Sequence, residues 1–290
     1  VGLQVLAAGY HVLAEKPLAF APGEGEQLIA AAEQAQVFFG CCDCRFLGQG
    51  SVEVAKDLIA SGRLGEIYRI TWRARSQRSR SGIEWQPESP WFLKRSVSGG
   101  GIVMDWAPYD LATIHDLIQP NAVTIQHSWM QQVATALPEH LNPADVDVET
   151  HAGARLVYAT PAGDIAVDYE RSACVHGPEQ QHFFIEGSHG SIEFIWTWDQ
   201  KIILHTDLNM QTNSEILPIV DDGLHCHDRP LVYFQRAIAG QPHAATLGWQ
   251  TWFNYAVLRG LYDVAATNTP WSLAMPAAHQ AQESVSGAIT

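Results

Sequence analysis

The sequence predicts a mixed fold in two parts: the remnant of a parallel α/β unit, then a larger α+β domain built on an open, mainly antiparallel sheet with packing helices. Three observations predict it. The first forty-odd residues alternate strand, helix and strand. From Val123 onward, short strand-like runs follow one another across hairpin-length turns. Two amphipathic helical patterns then close the chain. A length of 290 residues suits about two domains, and the expected division is 1–44 for the first unit and 45–290 for the second.

The elements follow in order. Residues 1–9 read as the tail of a helix closed by Gly9, and His11–Glu15 as a buried strand ended by Pro17. Because the chain opens on Val1 inside a helical pattern, a fragment of a longer protein is expected. In Glu24–Gln36 the apolar residues Leu28, Ile29, Ala32 and Ala35 have helical spacing, and Val37–Cys42 is a short apolar strand. Ser51 reads as the cap of a helix running to Ala60, with Gly62 beyond its end. Ile67–Arg75 is a strand, and Ser76–Ser98 is a long irregular segment of the kind that is functional or mobile in compact domains.

Gly99–Leu117 (GGGIVMDWAPYDLATIHDL) leads three glycines into a helix expected to begin near Trp106. Further strands are expected at Val123–Gln131, Thr150–Thr160, Gly163–Cys174, Gln181–Glu186, Ser191–Trp198 and Lys201–Thr206, and helices at Arg229–Ile238 and Leu247–Ala266. An open face rich in Trp, Ile and Phe predicts self-association, as a homodimer or homotetramer.

Composition narrows the function. Net charge is −14 with a pI near 5.3, which argues against nucleic-acid and anionic-membrane partners, since both require basic surface. No apolar run reaches the ~18 residues of a membrane-spanning helix, and no signal-peptide pattern is visible. The five cysteines are odd in number, with Cys41, Cys42 and Cys44 crowded together. This fits reduced, packing thiols in a cytoplasmic protein.

Two stretches carry chemistry. Asp105 and Tyr109 lie four residues apart, so a helix sets both on one side, about 5–6 Å apart at Cβ. A carboxylate and a phenol beside a glycine-rich approach suit acid–base work, although an Asp in that position is also an ordinary helix cap. The second stretch, Ala14-Glu15-Lys16-Pro17, sets a lysine at a strand end, where α/β sheets bind ligands. A free phenol titrates at about pH 10, so Tyr109 would act well near neutrality only if a neighbouring cation such as Lys16 lowered it. Trp85, Trp91 and Lys94, in the long loop, and His176 are candidates for contact with a substrate. His225-Cys226-His227-Asp228 invites a metal reading, but alternate residues of an extended segment diverge, so no metal is expected. Asp221-Asp222 reads as a solvated turn.

In sequence order, EKP, Cys44-Arg45-Phe46, LIASGRLGEIYRI (Leu58–Ile70), GGGxxxDxxxY, IEGSHGSIEF (Ile185–Phe194) and the terminal helix resemble the glucose–fructose oxidoreductase and inositol 2-dehydrogenase family. The resemblance covers essentially the whole chain. It implies that residues 1–44 are the C-terminal part of a Rossmann domain and 45–290 a substrate-binding and oligomerisation domain. It implies an oxidoreductase using NAD or NADP on a secondary alcohol or ketone of a sugar, cyclitol or related polyol. Lys16, Asp105 and Tyr109 would be its catalytic residues, and Glu15, Lys16, Pro17 and Arg45 would lie at the cofactor.

Three departures accompany the resemblance. No GxGxxG occurs, so the dinucleotide fingerprint is expected upstream of Val1. Ala112 stands where many relatives have a further Asp, with Asp110 and Asp116 out of register. Ala107 replaces a usual Gly and is followed by Pro108. The competing readings are an NAD-dependent glycoside hydrolase of the same superfamily and a non-catalytic fragment.

Overall fold

The computed structural model describes residues 1–21, 23–77, 89–133, 144 and 146–276. Its elements are α1 (Gly2–Ala7), β1 (Val12–Ala14), α2 (Glu24–Ala35), β2 (Phe39–Cys41), α3 (Gly50–Ala60), β3 (Ile67–Arg75), α4 (Arg95–Ser98), α5 (Ile102–Ile118), β4 (Ala122–Gln131), β5 (His151–Thr160), β6 (Gly163–Ser172), β7 (Gln180–Gly187), β8 (Gly190–Ile195), β9 (Lys201–Leu208), β10 (Gln211–Ile216), α6 (Arg229–Ile238), β11 (Thr246–Leu247), α7 (Gly248–Thr267) and β12 (Trp271–Ala274), with 3₁₀ turns at Cys42–Phe46 and Pro90–Leu93.

β1 and β2 pair in parallel, with Leu13 opposite Gly40, as the strand–helix–strand pattern predicts. The chain returns much later to this small sheet, where β11 pairs with β2. The second sheet has nine strands in the order β10-β9-β8-β7-β3-β6-β5-β4-β12. Only the β3–β6 pairing in it is parallel. Strands β10, β11 and β12 were not legible in the sequence: QTNSEI is exposed throughout, and the other two span two and four residues.

Burial separates the two faces of the large sheet. Ile70, Trp72, Phe183, Ile185, Phe194 and Trp196 point inward, where α3, α5 and α7 pack over the sheet. The outward residues of β3 and its neighbours carry charge: Arg69 pairs with Asp168 and Glu186, and Arg73 and Arg75 pair with Glu170. The argument for self-association therefore needs correction. The face rich in Trp, Ile and Phe is covered by the chain's own helices, and the face left outward is ion-paired.

Two helix starts also differ from expectation. α3 begins at Gly50 after Gln49, and Ser51 caps nothing; its amide instead donates to Gln200 Oε1 at 3.0 Å. α5 begins at Ile102 after Gly101, so Asp105 lies within its first turn and Pro108 lies inside the helix. The cap comes from another segment. Glu149 Oε1 accepts from the amides of Gly101 (2.7 Å) and Val103 (3.1 Å), and its carbonyl accepts from Ile102 (3.1 Å). Two amides left open by the helix end are thus satisfied by a buried carboxylate 46–48 residues away in sequence. Among the described residues, no helix is long and apolar enough to cross a membrane.

Candidate active site

The turn after β1 and the first turns of α5 meet at one cavity of about 410 Å³. Lys16 reaches it from the turn, followed by Pro17 through a cis peptide bond. Its Nζ donates to Asp105 Oδ1 at 2.6 Å and to the Asp105 carbonyl at 2.7 Å. The same Nζ stands 4.9 Å from the centre of the Tyr109 ring. Arg45, from the 3₁₀ turn after β2, lies over that ring at 5.1 Å and pairs with Glu15 at 3.6 Å. Lys16, Asp105, Tyr109 and Arg45 all line the cavity. Glu15 is mostly exposed; besides its pair with Arg45, it accepts from the Lys16 backbone amide at 3.2 Å.

Tyr109 is buried, and its hydroxyl has no hydrogen-bond partner among the described residues. Burial pushes its phenol well above the ordinary value; the Arg45 guanidinium works against that shift and the Asp105 carboxylate adds to it. The condition for work near neutrality, a phenol lowered by a neighbouring cation, is therefore not met. Lys16 spends two N–H groups on Asp105, and burial outweighs the opposing Arg45 guanidinium.

The glycines have a different use from the one expected. A Cβ on Gly101 would fall 1.9 Å from the Glu149 carbonyl oxygen, and one on Gly100 would fall 2.1 Å from the Tyr262 hydroxyl. They make room for the chain's own β5 approach and α7, not for an incoming molecule.

The sequence reading missed a third cation. Arg171 on β6 lies over the Trp106 ring at 4.6 Å and lines the cavity. Fully buried Asp110 accepts from Arg171 Nε (3.0 Å), Trp72 Nε1 (2.8 Å) and the Tyr169 hydroxyl (2.9 Å), with a further contact from Arg171 Nη2. Asp110 thus acts on the cavity through Arg171. Each of the three cations is backed by a carboxylate, so the cavity offers fixed N–H donors without a large net charge.

The aromatic wall also differs from the expected one. Trp85 lies outside the described residues. Trp91 stacks on Phe92 at 3.9 Å and is 46% exposed; Lys94 precedes α4, and His176 is exposed in the segment after β6. None of these three lines the cavity, whereas Phe46, Phe92, Trp106 and Trp198 do. Phe46 meets Trp106, Trp198 and Tyr109 at ring-centre distances of 6.0, 5.6 and 5.3 Å. Trp106 could have been found beside Asp105, but Trp198 gave no signal beyond ending a strand-like run.

The remaining motifs resolve as follows. Cys41 and Cys44 are buried and Cys42 partly so, all three free, and burial pushes the Cys42 and Cys44 thiols up to about 12. That agrees with packing rather than reactivity. Asp222 is not a simple solvated residue, since it holds the buried guanidinium of Arg229 at 2.9 and 2.5 Å. His225-Cys226-His227 forms a turn instead of an extended run, so the expected divergence of its side chains is corrected: their ligand atoms converge within 4.8 Å.

Comparison with known proteins gives three results. Residues 52–193 match the model of the GFO/IDH/MocA C-terminal domain. The chain is 30% identical over 269 residues to the 1,5-anhydro-D-fructose reductase of Ensifer adhaerens, covering 91% of this chain and 73% of that protein. In fold it is similar to a levoglucosan dehydrogenase solved with NADH and L-sorbose (TM-score 0.73, 17% identity, 95% of this chain and 76% of that one). It is likewise similar to an aldose–aldose oxidoreductase of Caulobacter crescentus (TM-score 0.71, 18% identity, 94% and 75%).

Proposed function

The chain belongs to the GFO/IDH/MocA family of oxidoreductases, and from that premise we propose that it interconverts a secondary alcohol and a ketone of a sugar or related polyol with NAD or NADP. The observation that carries this reading is the unpartnered Tyr109 hydroxyl, buried beside a lysine that Asp105 fixes in place. A buried donor with nothing to bond is costly, and a substrate oxygen set between Tyr109 and Lys16 would satisfy it.

The residues fit a dinucleotide's reactive end. Lys16 and Arg45 follow the carboxyl ends of two parallel strands, the position at which α/β sheets hold ligands. Lys16, Pro17 and Arg45 would hold it, with Glu15 fixing Arg45. Bound NAD(P) would supply the two-electron chemistry. The chain's own residues do the rest. Lys16 keeps one N–H for the substrate oxygen after its two bonds to Asp105. Tyr109, held protonated by burial, gives its proton to that oxygen as the carbonyl becomes an alcohol. The free site is therefore set for reduction, and oxidation requires the Tyr109 proton to be lost first. Trp106, Trp198 and Phe46 would pack the apolar faces of a sugar ring, and Arg171 would donate to a hydroxyl. Assembly as a homodimer or homotetramer belongs to the same proposal, through the broad outward face of the nine-stranded sheet.

The test is NAD(P)H consumption by the full-length protein with 1,5-anhydro-D-fructose and a panel of ketoses, for the wild type, Lys16→Ala and Tyr109→Phe. Turnover lost in both variants supports the reading. No consumption with any ketose, or unimpaired variants, overturns it. Release of an aryl glycoside's phenol without net change in NADH would assign the hydrolase activity instead.

A further inference from the structure

His225-Cys226-His227 is where the chain turns into α6. The carbonyl of His225 accepts from the amides of Asp228 (3.0 Å) and Arg229 (3.2 Å), and this tight turn brings three consecutive side chains to one side. His227 Nδ1 lies 3.3 Å from His225 Nδ1 and 3.3 Å from Cys226 Sγ, with all three atoms within 4.8 Å of one another. Two imidazole nitrogens this close can share only one proton between them, so the cluster has more lone pairs than protons to fill the gap. His225 Nδ1 otherwise takes only a 3.4 Å contact from the His227 amide.

A tetrahedral ion with bonds of about 2.0–2.1 Å to nitrogen and 2.3 Å to sulfur holds its ligand atoms about 3.3–3.6 Å apart. The two 3.3 Å separations lie at that figure, and the remaining pair, His225 with Cys226, lies within 4.8 Å and would close on the ion. We propose that His225, Cys226 and His227 bind a divalent cation of the zinc class at the edge of the cavity that His227 helps to line. One thiol and two imidazoles are a donor set that favours zinc over the oxygen-seeking ions. On binding, the Cys226 thiol passes its proton to solvent and its sulfur becomes the anionic ligand. Three protein ligands leave a fourth position for water.

The turn is anchored well enough to hold such a geometry. Arg229, the next residue but one after His227, is 2% exposed. It donates to the Gly48 carbonyl (2.9 Å), the Tyr233 hydroxyl (2.6 Å) and both carboxylate oxygens of Asp222. The ligands therefore sit on a fixed support and not on a free loop, which lowers the ordering cost of binding.

The experiment is equilibrium dialysis of the full-length protein against zinc, with the metal counted by mass spectrometry, and a parallel titration with cobalt(II). A single ion per chain is expected, with tetrahedral cobalt absorption and a thiolate-to-cobalt charge-transfer band. His225→Ala should lose the ion; His225 is exposed, so the fold survives, as circular dichroism would verify. Cys226→Ser should abolish the charge-transfer band. An absence of retained zinc in the wild type overturns the proposal, as does equal retention in both variants. Neither readout depends on turnover, so failure here leaves the oxidoreductase reading standing.

Discussion

At the residue scale, Tyr109 and Arg171 make opposite demands on the fold. The Tyr109 hydroxyl bonds to nothing among the described residues, so Tyr109→Phe should leave the urea midpoint unchanged while lowering kcat roughly 10²- to 10⁴-fold. Paired denaturation and steady-state kinetics separate the two effects. Because burial raises the phenol, Tyr109 stays an acid across the neutral range. The rate of ketone reduction should therefore show no Tyr109 inflection below about pH 10, the ordinary phenol value, while alcohol oxidation climbs with pH. A neutral-range inflection that vanishes in Tyr109→Phe would show a lowered pKa and sink this account. Arg171 is structural as well as exposed to the cavity. Arg171→Met strands the Asp110 carboxylate in the core and should cost about 3–5 kcal/mol, read from chemical denaturation. That Lys16, Asp105 and Tyr109 belong together was suggested by the resemblance that EKP and GGGxxxDxxxY carry, and the three do line one cavity; their chemical roles stay a proposal. Arg171 was not, because its position depends on a pairing between strand β6 and helix α5 that no local pattern encodes.

At the element scale, α5 depends on Glu149. Its carboxylate caps the Gly101 and Val103 amides and accepts the Tyr262 hydroxyl at 2.7 Å, so Glu149→Ala should destabilise by about 1–3 kcal/mol. Gly101→Ala should be worse, since backbone must move to admit its Cβ; comparison of the two unfolding curves checks the order. A buried chain of bonds links α5 to three other elements. Tyr158 O–H meets His115 Nε2 (2.9 Å), His115 Nδ1 meets Asn254 Oδ1 (2.6 Å), and Asn254 Nδ2 donates to Asp43 Oδ2 (2.9 Å). Burial raises Asp43 to about 7, against the bonds from Thr246 and Asn254, and lowers His115 to about 4. The stability from Asp43 is full in acid and lost as pH rises through about 7. That from His115 is full above its ordinary value near 6.5 and lost as pH falls toward 4. Removing the first slope with Asp43→Asn should make the melting temperature of the variant rise, relative to wild type, between about pH 4 and pH 7. A difference that does not vary with pH would mean that Asp43 remains ionised.

At the scale of the whole molecule, the inward face of the large sheet is filled by the chain's own helices, and the outward face is a field of paired charges with Phe184 and Ile203 half-buried among them. If that face joins copies, sedimentation velocity should give a dimer or tetramer, and Phe184→Arg should shift it toward monomer; a monomeric wild type at every concentration would remove the proposed assembly. The sequence by itself determined most of the succession of strands and helices, though not β10, β11 or β12, together with the parallel opening pair, the two closing helices, and the lysine, aspartate and tyrosine proposed to do the chemistry. Periodicity and the chemistry of single residues are local properties and can be read in order. Only the tertiary structure decided where α5 begins, that Glu149 caps it, that Trp106 and Trp198 wall the cavity in place of Trp91, and that His225, Cys226 and His227 converge. The physical reason is the same in each case. Burial, long-range hydrogen bonds and the direction of a side chain are fixed by partners tens to hundreds of residues away, and those partners exist only once the chain has folded.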